Sequence, residues 1–175
     1  EYDDDDKIVE KVLEELNSLL ARQAQAYQRN SDRIARAYEG KQKVADARMK
    51  VIADISHLIE GKQVPVVLME LIDKAGWREH LSFVCIRDGH GSATYDEVLN
   101  VVDLILNWLG DEADSSDKWA LELEMELEAP SLIELITKEL SIVGLVGYES
   151  VIKRLEDCLF NDADPLLVKI ENYEW

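Results

Sequence analysis

The stretch from Ile8 to about Glu60 contains no proline and a single glycine, Gly40. Along it, apolar or small residues recur at Leu13, Leu16, Leu20, Tyr27, Ile34, Ala37, Val44, Val51, Ile55 and Leu58. The gaps are three, four or sums of them, which is the seam of a long helix. Eight alanines between Ala21 and Ala53 favour helix and permit close approach of a second one. Gln23, Asn30, Lys41 and Arg48 also fall on the seam, more polar positions than a continuous coiled coil accepts at low cost. The expectation is one very long helix, or two shorter ones broken near Asn30-Ser31-Asp32 with Ser31 or Asp32 as a cap, packed along part of its length.

Gly61 and Pro65 end this segment and start the next: a glycine past one helix, a proline in the first turn of another. Residues 65–87 then read as apolar helix with a kink or short interruption at Gly76, before Trp77. Thr94 with Glu97 forms a capping box that opens a helix over 94–109, closed by Gly110. In 119–128, leucine or methionine alternates with glutamate. Period two suggests a strand, but Glu and Leu suit a helix, which is the reading adopted. Ser116 is its expected cap. Pro130, then Ser131 with Glu134, reads as a fresh helix start, running to about Val143. Residues 147–160 give a last helix, and DPLLVKIENYEW is ambiguous between a short helix and an extended segment. The fold class is all-α: a long N-terminal helix or two-helix stem, then a compact bundle of four to five helices. The expected divisions are 1–7, 8–61, 62–163 and 164–175. The opening YDDDDK reads as a tag or an acidic linker, outside fold reasoning.

The formal net charge is −18, which argues against the whole chain clamping nucleic acid. The charge is unevenly spread: residues 21–50 carry eight basic and three acidic side chains, net +5. Residues 88–137 carry thirteen acidic side chains against Lys118, net −12. No apolar run approaches the roughly 20 residues that span a bilayer. The two cysteines, Cys85 and Cys158, fit buried free thiols in a reducing compartment, so the expected location is cytoplasmic.

VPVVLMELIDKAGWREHL, a turn, a helix ending VVDLILNWLG, and then APSLIELITKELSIVGL resemble the C-terminal part of a bacterial family of large helical proteins of unknown function. The landmarks are Pro65, Trp77, Gly89, Asp103, Trp108, Pro130 and Gly144, preceded by ARAYEGKQKVADARMKV, and the likeness covers roughly residues 20–160. It implies a helical fold and a fragment of a longer protein. Some members are tied to cyclic-di-nucleotide signalling through an attached binding domain, and some are mislabelled as thymidine phosphorylase. The resemblance carries over no catalytic residue, and any cyclic-di-nucleotide binding belongs outside this segment.

CIRDGHGSATYDE places Cys85, Asp88 and His90 close together. An enzyme would use the thiol as nucleophile and the imidazole as base. The same residues make an ordinary interhelical turn, with glycines for positive φ and Asp and Ser for local hydrogen bonds. His57, His80 and His90 lie on separate segments and form no metal-ligand spacing, and no phosphate loop or hydrolase elbow is present. No cofactor and no catalysis are expected. Trp77, Trp108 and Trp119 read as core pillars; Trp175, beside Tyr173, reads as an exposed aromatic tail. The leading function is an interaction or scaffold module, docking through Arg29, Arg33, Arg36 and Lys43. Its partner is another protein, another region of the same full-length protein, or a second copy. The rival readings are nucleic-acid or anionic-membrane binding through the same basic helix, and an enzyme built on the Cys85–His90 turn.

Overall fold

A computed structural model describes residues 2–110 and 118–175, which divide into two compact units, 1–43 and 44–175. Helix α1 spans Tyr2–Ile59 without interruption. Of the two readings, the single long helix is the one formed, with no break at Asn30–Asp32. Gln28 Nε2 donates to Asp32 Oδ1 at 3.1 Å and Arg33 Nη2 to Asn30 Oδ1 at 3.0 Å, so these polar side chains bond along the helix surface instead of capping. The acidic opening also belongs to α1, with Asp3, Asp4 and Asp5 in the first turn, where carboxylates complement the helix dipole.

The second unit begins inside α1, whose Ala47, Val51, Ile55 and Ile59 are buried. Five further helices follow: α2 (Val66–Asp73), α3 (Trp77–Asp88), α4 (Ala93–Leu109), α5 (Lys118–Val143) and α6 (Tyr148–Phe160). Two short strands complete it. β1 (Gln63–Pro65) pairs antiparallel with β2 (Leu167–Lys169), with Val64 opposite Val168. This is the all-α architecture that the apolar spacing implies, with a minimal sheet added.

Of the two readings at Gly76 the short interruption is the one formed: residues 65–87 hold two helices, because Gly76 takes φ +98° and Leu145 packs where a Cβ would stand. Three other local expectations are corrected. Ser92, not Thr94, caps α4: its Oγ accepts from the Tyr95 N–H at 3.2 Å. α5 runs straight through Pro130, and the Ser131–Glu134 signature starts nothing. Proline removes one donor, leaving the Glu126 carbonyl without its helical partner on an exposed stretch, a cost the buried Leu132, Ile133, Ile136 and Leu140 offset. The alternating run 119–128 is helix, but its apolar residues fall on two opposite faces: Leu121 and Met125 are partly buried, while Trp119, Leu123 and Leu127 are exposed, Trp119 by 74%. Trp119 is therefore no pillar. Trp108 is partly buried, and Trp77 is fully buried, with its Nε1–H donating to the Val98 carbonyl at 3.1 Å. The Ser116 cap lies outside the described residues.

The ambiguous tail is extended, and it is not free. Val66 N–H donates to the Leu166 carbonyl at 2.8 Å and Gly61 N–H to the Ile170 carbonyl at 2.7 Å. Tyr173 is buried; its N–H donates to Glu60 Oε1 at 2.9 Å and its hydroxyl to Asp73 Oδ1 at 3.2 Å. Burial pushes the Tyr173 hydroxyl up to about 12 against the pull of Arg78. The Trp175 ring lies between the Arg48 and Arg78 guanidiniums, each 5.0 Å from its centroid, and is only partly exposed. The aromatic tail is thus a strap across the bundle rather than a docking peptide.

Truncating a buried aromatic costs about 3–5 kcal/mol. Tyr173→Ala should therefore lose on the order of 3 kcal/mol in urea unfolding, and wild-type stability would show that the strap does not hold the bundle.

Candidate interaction surface

In the first unit, α1 presents an apolar stripe with nothing over it. Ile8, Val9, Val12, Leu13, Leu16, Leu19 and Leu20 are each 48–61% exposed, and Tyr27, Ile34 and Tyr38 are exposed further along. Soluble surfaces scatter single aliphatics freely, but a run of seven along one helix marks a contact site. The spacing places Leu13, Leu16 and Leu20 on the seam; the structure adds Ile8, Val9, Val12 and Leu19 beside them and shows all seven uncovered.

Arg29, Arg33, Arg36 and Lys43 are all exposed in the same unit. Arg29, Arg36 and Lys43 make no ion pair among the described residues, and Arg33 meets only the neutral Asn30 side chain. Residues 22–43 carry six basic side chains against Asp32 and Glu39. The arrangement supplies long, flexible cationic arms beside apolar contacts, suited to an acidic surface with apolar hollows.

The rival enzyme residues are engaged elsewhere. Cys85 is buried, and burial raises its thiol pKa, opposite to the activation a nucleophile needs. Asp88 is gripped by Arg87, Nη2 to Oδ2 at 2.6 Å, which lowers its carboxyl pKa. His90 Nε2 meets Asp54 Oδ2 at 2.8 Å, and the Tyr95 hydroxyl donates to the same oxygen at 2.6 Å. Burial and Asp54 raise the Tyr95 pKa. Asp54 is the residue the sequence reading missed; a lone aspartate on a long helix gives no signal of its partners. The cluster ties α1 to the turn before α4, and it uses His90 as a bridge. Both cysteines are free thiols, and among the described residues no three His, Cys, Asp or Glu side chains converge as a metal cluster.

His80 is a second polar feature not anticipated. It is buried, stacks near Phe83, and its Nε2 lies 2.8 Å from Glu139 Oε2. Burial lowers its pKa below 6.5, with Glu139 opposing and Arg87 assisting. The native imidazole therefore stays neutral where the unfolded chain takes up a proton. Stability is full above about pH 6.5 and falls as the pH drops through that value towards the lower native pKa. The urea midpoint should thus fall between pH 7.5 and 5.5, and His80→Gln should reduce the fall. An unchanged slope in that variant would assign it to other groups.

No helix among the described residues is long and apolar enough to cross a membrane. Neither curated proteins nor solved structures provide a match to the chain. Residues 37–156 match the family model described as the third domain of a protein of unknown function, DUF1631.

Proposed function

The chain belongs to the DUF1631 family through its third domain, and from that premise we propose that it is a non-enzymatic protein-interaction module that docks through the exposed stretch of α1. Arg29, Arg33, Arg36 and Lys43 are its charged contacts, and the partner is a protein surface, on a separate protein or on another domain of the family's own chain. The cytoplasm is its place of action. One observation carries this reading: seven aliphatic side chains stand about half exposed on a helix stretch that forms a unit by itself. Covering them contributes on the order of 5–10 kcal/mol before the costs of association. In proteins most helical stability comes from packing an amphipathic face, so a partner covering this stretch would add to its stability.

The same basic residues would serve an anionic membrane or nucleic acid, a reading weakened by the −18 net charge. The decisive comparison is affinity capture from a nuclease-treated host lysate, with wild type set against two variants. One carries Arg29→Glu, Arg33→Glu and Arg36→Glu; the other carries Leu13→Asp and Leu16→Asp. A protein captured by wild type should fall by at least about tenfold with each variant. Equal capture by all three would remove α1 as the docking element.

A further inference from the structure

The acidic half of the molecule has its own uncovered surface. Between α4 and α5 runs a groove of about 460 Å³, walled by Leu104, Trp108, Leu127 and Leu132 and edged by Glu97 and Glu128. The Trp108 indole N–H in its wall is buried and has no acceptor among the described residues. Beside it, Trp119, Leu123 and Leu127 are spaced by four residues, forming one stripe along α5 that is 74%, 44% and 70% exposed. Glu122, Glu124, Glu126 and Glu128 accompany that stripe, against Lys118. Such a surface accepts an amphipathic helix of positive charge: apolar side chains enter the groove, and arginines reach the carboxylates at the rim.

This chain contains a segment of that description. Residues 22–43 of α1 carry net +4, from six basic and two acidic side chains, and expose Tyr27, Ile34 and Tyr38. We propose that the α4–α5 groove receives the basic stretch of α1 from a second copy, so that chains join head to tail. The inference rests on the reading of α1 as the docking element and names its partner.

The two joined patches differ, so the contact either propagates into open chains or closes, and the smallest closed form is a reciprocal exchange between two copies. A parallel α1–α1 pair would instead set Arg29, Arg33 and Arg36 against their own copies, a like-charge arrangement. Charge complementarity also makes the assembly salt-sensitive.

Sedimentation velocity of the full chain over a range of concentrations tests this, using two variants built on exposed positions that leave the core untouched. The arm variant carries Arg29→Glu, Arg33→Glu and Arg36→Glu; the groove variant carries Leu123→Lys and Leu127→Lys. Wild type should grow in size with concentration at low salt and revert to monomer as NaCl rises to about 0.5 M. Each variant alone should remain monomeric. Mixed one to one, they should form a complex of two chains and stop, since the intact arm of the groove variant fits the intact groove of the arm variant.

A wild type that is monomeric throughout, or a mixture that stays monomeric, overturns the proposal. Growth of the groove variant equal to wild type also overturns it, while leaving α1 as a docking element for some other surface. Growth of the arm variant equal to wild type overturns both the head-to-tail contact and the reading of α1 on which it rests.

Discussion

A helix cannot bury its own side chains, and that constraint governs this molecule from Tyr2 to Ile59. One seam runs the length of α1, yet Val51 and Ile55 are fully buried while Leu13, Leu16 and Leu20 stand about half exposed. The buried end is the surface on which the short elements of the second unit gather. The Asp54 carboxylate ties that end to His90 and Tyr95, and Glu60 holds the strap through the Tyr173 N–H. The exposed part has the same amphipathic pattern and no such neighbours within its own unit. An identical sequence pattern therefore serves a core in one place and an unsatisfied surface in another.

That difference explains what was legible beforehand. Periodicity reports which residues share a face, so the long helix, the inward residues of α6 and the apolar character of α2 and α3 could be read directly. It does not report what lies against the face. The alternating leucines and glutamates of 119–128 gave a helix whose apolar residues no single neighbour can cover, and Trp119 followed them into solvent. Cap signatures failed for a related reason. Ser92 and Thr94 both offered a hydroxyl, and the chain used the one whose residue lies extended before the first turn. At Pro130 the local start signal was not used: α5 continues through it, with Ala129 and Leu132 buried on either side.

The polar contacts were the least legible part. His80 with Glu139 and His90 with Asp54 join residues 59 and 36 positions apart, and neither pair has a spacing rule. The tail shows the same limit from the other side: its two aromatics looked like free anchors, but Glu60, Asp73, Arg48 and Arg78 supply partners that only the fold brings near. Chemistry-bearing residues clustered in sequence, as in CIRDGHGSATYDE, proved less informative. Burial, an ion pair and an interhelical bridge engage Cys85, Asp88 and His90 separately.

The charge separation then takes on a meaning that net charge alone conceals. At −18 the whole chain should repel its copies at long range. Within about a Debye length, roughly 8 Å at physiological salt, what matters is which patch meets which. The apolar neighbours of the basic side chains of α1 and the leucines lining the acid-edged groove are each unfavourable to leave facing water. Their mutual contact relieves both, whereas contact between like patches relieves neither. On the head-to-tail proposal, long-range repulsion with short-range, directional attraction would give an association selective in register and weak enough to be reversed by salt.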